Sequence, residues 1–250
     1  MNIISLLYNE VLFRPLFNLL VGVADILPAH NLGVAILVVT LIVRLILLPF
    51  SLHQARHAAH QQKKMTGLKA ELKKINERFK DDATARSQAT LELYRKTGIN
   101  PAGGCLPLII QLPILIALYR VFLSGLGPKT AHYLYSFVTL PTILSSNFFG
   151  INLTIPNLWL ALLAGAAQFF QMRTMTAAPT TTPGADEKSA QMMASMQRNM
   201  AFMFPVMTVF ITLRLPAALA LYWVATTLFA LIQQYILKRM LHASSPLPTV

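Results

Sequence analysis

The sequence predicts an all-α integral membrane protein. It is expected to have five transmembrane helices, a cytoplasmic helical hairpin and an N-terminal interfacial amphipathic helix. Three observations lead there. First, 55% of the 250 residues are hydrophobic and only 12% are charged, where soluble domains average about 45–50% and about 25%. Second, the apolar residues gather in runs at 32–50, 106–126, 157–172, 200–213 and 216–237, a pattern of bilayer-spanning helices. The third run is short, and the fourth borrows length from 192–197. Third, Lys and Arg are distributed very unevenly among the connections.

That asymmetry orients the chain. Eleven Lys and Arg residues fall in 51–100. Arg173, Lys188 and Arg198 follow the third run, and Lys238 and Arg239 follow the fifth. The opposite side holds only Arg14, Lys129 and Arg214. The positive-inside rule then makes 51–100 cytoplasmic, with the N-terminus outside and the C-terminus inside. The resulting division is an extracytoplasmic interfacial helix at 1–30 and a first transmembrane helix at 31–50. A cytoplasmic hairpin follows at 51–100, then four further spans with their loops at 101–237 and a cytoplasmic tail at 238–250. The apolar stretch 6–27 is broken by Asn9, Glu10, Arg14, Pro15 and Asp25, which favours a helix lying in the interface. A sixth span, with the N-terminus inside, is the alternative. No cleavable signal is expected.

The run 32–50 contains one charge, Arg44. Over roughly 28 Å of helix the residues beside it are aliphatic, aromatic or Ala, apart from Gly33, Thr40 and Pro49. A permanent cation there costs at least about 2.5–3.5 kcal/mol and marks a functional site by default. The competing reading is a side chain that snorkels toward the nearer surface.

In the basic connection, Met65, Leu68, Leu72, Ile75 and Phe79 step by 3, 4, 3 and 4, an apolar stripe on a helix. Lys80-Asp81-Asp82 reads as a turn, with Asp82 as N-cap. A second helix runs to Lys96 and stops at Gly98. The basic face, including Lys63, Lys64, Lys69, Lys73, Lys74 and Arg78, suits anionic lipid headgroups or ribosomal RNA, since both present phosphate. The segment 177–190, rich in Pro, Thr, Gly and Ala, is expected to be a mobile loop.

Polar residues within the runs are candidates for an internal polar surface: Thr40, Gln111, Gln168, Thr208, Thr212, Tyr222, Thr226, Thr227 and Gln233. Each competes with a plain interhelical hydrogen bond, worth about 0.6 kcal/mol in a membrane. Tyr119 and Trp223 suit interfacial anchoring. Met192, Met193, Met196, Met200, Met203 and Met207 form an adaptable apolar stripe, either core or a surface for apolar substrate. His53, His57 and His60 share a helical face but no carboxylate or thiol completes a metal set, so no metal or other cofactor is expected. Cys105 is expected to pack against Gly103 and Gly104, with no base to activate it. No GxxxxGK[ST], HExxH or GxSxG motif is present, and an enzyme is not expected.

Two stretches carry more than periodicity. They are YRKTGINPAGGCLPLIIQLPILIALYRVF at 94–122 and MFPVMTVFITLRLPAALALYWVATTLFALIQQYI at 203–236. Their markers are Asn100-Pro101, Gly103-Gly104-Cys105, Pro107, Gln111, Pro113, Pro205, Pro216-Ala217, Tyr222-Trp223 and Gln233-Gln234-Tyr235. With Arg44, Gln54 and Lys64-Met65, they closely resemble the YidC family of membrane protein insertases, in the short form without a large periplasmic domain. Ala218, Thr227 and Arg214 depart from the family pattern.

The resemblance implies a bundle with a hydrophilic groove open to cytoplasm and lipid, with Arg44 at the position of the family's groove arginine. It implies a non-enzymatic insertase and chaperone of the bacterial plasma membrane. Its substrates would be nascent membrane proteins, with the ribosome and Sec translocon as candidate partners and a monomer as the working unit. Groove residues would include Arg44, Gln111, Tyr222, Thr40, Gln168, Thr208 and Gln233. The alternative is a small-solute or anion transporter using the intramembrane Arg. That reading predicts inverted repeats, and the spans are unequal.

Overall fold

The computed structural model describes residues 3–27, 30–80, 82–99, 106–125, 128–141, 144–176 and 187–243. Among them the architecture is all-α apart from one two-stranded hairpin. Helix α1 (Ile3–Tyr8) runs through a π turn at Asn9–Phe13 into α2 (Arg14–Ile26). Pro15 lies just beyond that turn. A proline lacks an N–H and crowds the carbonyl four residues back, and a wide turn relieves that conflict. Phe13, Phe17, Leu20, Val21 and Ala24 are buried on one face of this helix, at helical spacing. That face packs on α3 (Leu32–Ile46) and α7 (Leu106–Ser124).

Asn31 caps α3, its Oδ1 accepting from the backbone N–H groups of Gly33 and Val34 at 2.9 and 3.2 Å. The run 32–50 is not one straight span. It breaks at Leu47, and α4 (Leu48–Gly67) leaves at 56°. Pro49 cannot donate to the Leu45 carbonyl, so the ladder loses a rung where the bend occurs. Helix α4 then continues far past the apolar run. The apolar stripe 65–79 is also divided, by a break at Leu68 before α5 (Lys69–Arg78). Helices α5 and α6 (Ala83–Thr97) touch across the turn at 79–82, with Leu72 buried. Asp82 caps α6 by accepting from Thr84 and Ala85 N–H groups at 3.0 and 2.9 Å. Gly98 ends α6 at φ +68°, a left-handed conformation that costs glycine least.

Three more helices complete the fold: α8 (Leu158–Thr176), α9 (Glu187–Thr212) and α10 (Ala217–Ala243). Helix α9 begins at Glu187, inside the segment expected to be a loop. Residues 177–186 of that segment lie outside the described residues, as do Gly103, Gly104 and Cys105. Although α9 and α10 are separated only by 213–216, α8 packs broadly on both while they meet little. A central core joins α2, α3, α7 and α10 through Phe17, Leu20, Ile36, Val39, Leu118 and Leu221.

The connection from α7 to α8 is more ordered than its sequence suggests. It contains a 3-10 turn at Pro128–Tyr133 and the hairpin β1 (Asn147–Phe148) with β2 (Ile151–Asn152). It bonds to three other elements. Asn18, buried on α2, donates to the Tyr133 carbonyl at 2.9 Å and accepts from the Tyr135 N–H at 2.6 Å. Leu32 N donates to Ser145 O at 2.9 Å. Ala217 and Ala218 donate to Ile155 and Leu153 carbonyls, both at 3.0 Å. Orphan N–H groups at the starts of α3 and α10 are thus satisfied by a single loop. Gly33 is required here, because a Cβ would collide with the Phe148 ring.

Two helices, Ser5–Ile26 and Ala217–Leu237, are each long and apolar enough to cross a bilayer, and the bent α3–α4 pair makes a third. Shorter apolar stretches lie at Gln111–Ser124 and Ala201–Thr212. Large apolar side chains such as Leu112, Ile116, Leu163, Phe170, Phe210 and Ile232 point outward. Exposed apolar surface on this scale marks contact with something other than water, and with the hydropathy it identifies an all-α membrane protein.

Helix α8 approaches α9 closely at Gly165, where a Cβ would collide with Val209 and lie 3.2 Å from the Pro205 carbonyl. Gly165→Ala is expected to destabilise the fold by about 1–3 kcal/mol, the range for overpacking. Thermal unfolding in detergent micelles measures this, and an unchanged midpoint would contradict the packing described.

Candidate functional site

Arg44 sits in the last turn of α3, not inside one unbroken span over 31–50. The break at Leu47 ends the helix just beyond it. Carbonyls at a helix C-terminus favour a cation by about 0.3–1 kcal/mol. Arg44 Nε donates to Thr226 Oγ1 at 2.6 Å and Nη2 to Gln111 Oε1 at 3.4 Å. Gln111 Nε2 donates in turn to the Tyr222 hydroxyl. Tyr222 and Thr226 are one turn apart on α10 and face the same way. Four side chains from α3, α7 and α10 therefore form one hydrogen-bonded chain around a partly buried guanidinium.

No carboxylate compensates this cation among the described residues. The ion pairs found there are Glu10–Arg14 at 2.7 Å and Lys73–Glu77 at 3.8 Å. The bonds to Thr226 and Gln111 use two of the five guanidinium N–H donors, and a planar guanidinium presents N–H groups in a fork matched to a carboxylate. Neutral dipoles hold the group in place without neutralising it. The arrangement suits transient attraction of an anion rather than permanent storage of one.

A second polar contact lies two turns further on. Gln233 Nε2 donates to Ser51 Oγ at 2.8 Å. The pairs 44–226 and 51–233 share one sequence offset, so α3–α4 and α10 run parallel and keep register through the bend. The advance is seven residues on each helix, close to two turns.

The remaining candidates divide. Thr40 and Thr208 are buried and return their hydroxyls to the carbonyls of Ile36 and Phe204, at 2.6 and 3.0 Å. They satisfy themselves within their own helices and do not join the cluster. Thr212 behaves likewise toward Thr208 O at 2.7 Å. Gln168 accepts from Trp223 Nε1 at 3.1 Å, which links α8 to α10 and gives the Trp223 indole a partner within the bundle. Met203 and Met207 are exposed on α9, while the side chains of Met192, Met193, Met196 and Met200 lie outside the described part. Lys64, Lys73, Lys74 and Arg78 are exposed on α4 and α5; the side chains of Lys63 and Lys69 lie outside the described part. His53 and His57 rings stand 5.1 Å apart on α4.

Thr226, a polar candidate in the fifth run that was not in the expected groove set, makes the shorter of the two bonds to Arg44, and polarity alone does not separate it from Thr40 and Thr208. Ser51 was missed altogether, because it falls just past the apolar run. Its seven-residue spacing from Arg44 was the available signal.

A charge held only by neutral groups is expected to cost stability. Arg44→Leu, which removes the partly buried cation and fills its space, should leave the unfolding midpoint in detergent unchanged or raise it. Thr226→Val, which removes the acceptor and keeps the charge, should lower stability by about 1.5–3 kcal/mol, the range for hydrogen bonds to charged groups. The reverse order would mean that Arg44 is a structural residue.

Comparison with known proteins identifies the family. The model of the 60Kd inner membrane protein family matches residues 24–244. The membrane protein insertase YidC of Fusobacterium nucleatum is 35% identical over 209 residues, covering 84% of this chain and 87% of the relative. YidC of Clostridium tetani is 34% identical over 213 residues, 85% of this chain and 84% of the relative. The insertase MisCA of Bacillus subtilis is 31% identical over 235 residues, 92% of this chain and 79% of the relative. With the matched region running from the end of α2 through α10, the chain belongs to the 60Kd inner membrane protein family, that of the YidC and MisCA membrane protein insertases.

Proposed function

We propose that this chain is a membrane protein insertase and chaperone working through a hydrophilic groove centred on Arg44. The observation that carries the reading is the guanidinium bonded to Thr226 and Gln111 with no carboxylate beside it among the described residues. A substrate's short acidic tail must be drawn into the bilayer before its apolar segment can partition into lipid. A hydrated cation part-way in shortens the hydrocarbon path and attracts the acid. Neutral partners leave the charge available, and the contact is weak enough to release. Burial of the substrate's apolar segment and the membrane potential, worth about 2.3 kcal/mol per charge per 100 mV, then complete the transfer. No nucleotide chemistry is needed.

In this reading the groove runs from Arg44, Gln111, Tyr222 and Thr226 toward Ser51 and Gln233 at the cytoplasmic end. The exposed apolar faces of α7 (Leu112, Ile116) and α9 (Met203, Met207, Phe210) form the lipid-side path for an apolar segment. The loop 125–157, bonded to α2, α3 and α10, closes the outer end.

Five spans fit better than six. The N-terminal helix is bonded along its length to the outer part of α7 and the loop after it. Asn9 accepts from Arg120 at 2.7 Å, Asn18 bonds to Tyr133 and Tyr135, and Asp25 accepts from Thr139 at 2.8 Å. Those partners all belong to one end of the bundle, which supports a helix lying across that end at the outer interface. The N-terminus is then outside and the C-terminus cytoplasmic, in a bacterial plasma membrane. Helices α5 and α6 form a basic cytoplasmic hairpin that suits the ribosome or anionic lipid.

Insertion of a single-span protein into proteoliposomes tests this, read by protease protection of its N-terminal tail. Arg44→Ala should reduce insertion of a substrate with an acidic tail by roughly tenfold, as expected for loss of about 1.4 kcal/mol of charge-assisted attraction. A neutral-tailed substrate should be affected much less. Equal loss for both tails would exclude direct pairing, and insertion no better than in empty vesicles would exclude autonomous insertase activity.

A further inference from the structure

The tip of the outer β-hairpin is an unusual place for its residue. Phe149 and Gly150 form the two-residue turn between β1 and β2, with φ +49° and +81°. Positive φ at both positions is the geometry that Asn-Gly or Gly-Gly adopts most readily, and a bulky aromatic there is an outlier. Phe149 is also 91% exposed. Its ring meets the Phe148 ring edge-on, with centroids 4.7 Å apart, so Phe148 supports it from below while nearly all of its surface is presented outward.

Its surroundings point to an occupant. The same loop exposes Ile155 and leads into α8, where Leu158 and Trp159 are exposed, the latter at 73%. The exposed apolar face then continues down α8 through Leu162 and Leu163. Ala217 N bonds to Ile155 O, which brings the α9–α10 turn and its exposed Arg214 beside this rim. Aromatic rings above an apolar helical face, with a cation at their edge, match the order of acyl chain, glycerol region and phosphate in a leaflet.

We propose that the hairpin tip is a membrane anchor, with Phe149 and Trp159 seated in the outer-leaflet interface and Arg214 at the level of lipid phosphate. The inference rests on the reading of 125–157 as the outer loop. Its occupant is phospholipid rather than protein, because the patch is continuous with the face of α8 that meets hydrocarbon. The consequence is mechanical. The loop that satisfies the N-termini of α3 and α10 is held at its far side by the bilayer, so the outer closure of the groove is tied to the leaflet.

The test uses the full chain carrying Cys105→Ser and one new cysteine, labelled with a nitroxide, in phosphatidylethanolamine–phosphatidylglycerol vesicles. Labels at Phe149, Lys129 and Leu163 are compared by collision with oxygen, which concentrates in lipid, and with a water-soluble nickel chelate. The expected result is a nickel collision rate at 149 several-fold below that at 129, with an oxygen rate between those of 129 and 163. A label at 149 as accessible to nickel as 129, with 163 protected, overturns the anchor and leaves the span reading intact. A label at 163 open to nickel overturns the span reading and the anchor with it.

Discussion

A guanidinium among apolar helices must be held without being neutralised, and this requirement reaches most of the bundle. Arg44 supplies the charge from the end of α3, Gln111 reaches it from α7 and Thr226 from α10, and Tyr222 of α10 holds Gln111. Each donor or acceptor is neutral. A carboxylate in any of their places would hold the charge more firmly and leave it unavailable to an incoming anion. The cluster therefore depends on three helices keeping fixed depth relative to one another. Other contacts in the fold help set this depth.

The bend at Leu47 and the parallel register of α3 with α10 are two such devices. Pro49 ends α3 just past Arg44, exposing helix-terminal carbonyls beside the cation. The constant offset between the pairs 44–226 and 51–233 shows that α4 leaves at an angle without losing its alignment to α10. At the other end, the loop 125–157 supplies carbonyls to the first turns of both helices. Asn18 fastens the same loop to α2 with both of its amide functions. The polar cluster thus lies below a cap hydrogen-bonded to α2, α3 and α10. This is why an exposed hairpin tip on that cap bears on the groove at a distance.

Much of the fold was legible because membrane helices are written in long, simple signals. The apolar runs, Asp82 as a helix cap, Gly98 as a terminator and Arg44 as an anomaly follow from hydropathy, local hydrogen bonding and the cost of charge. What was misjudged involved competition between local and tertiary demands. Pro49 inside an apolar run was read as part of one span, although a missing N–H breaks the ladder there. Thr40 and Thr208 were grouped with Gln111 by polarity alone, although both threonine hydroxyls return to their own backbone while the longer Gln111 amide reaches across to α10.

By itself, the sequence determined the helical class, the membrane environment, the charge asymmetry and the placing of one cation in an apolar run. These depend on composition and short-range spacing, which the chain carries wherever it folds. The tertiary structure decided which polar residues meet that cation. It chose Thr226 over its neighbours, paired Ser51 with Gln233, and ordered 125–157 into a cap over two helix ends. Those choices depend on the relative rotation and depth of helices nearly two hundred residues apart, and no local pattern encodes them. Pattern marks where a charge is costly; only packing determines which neighbours make it tolerable.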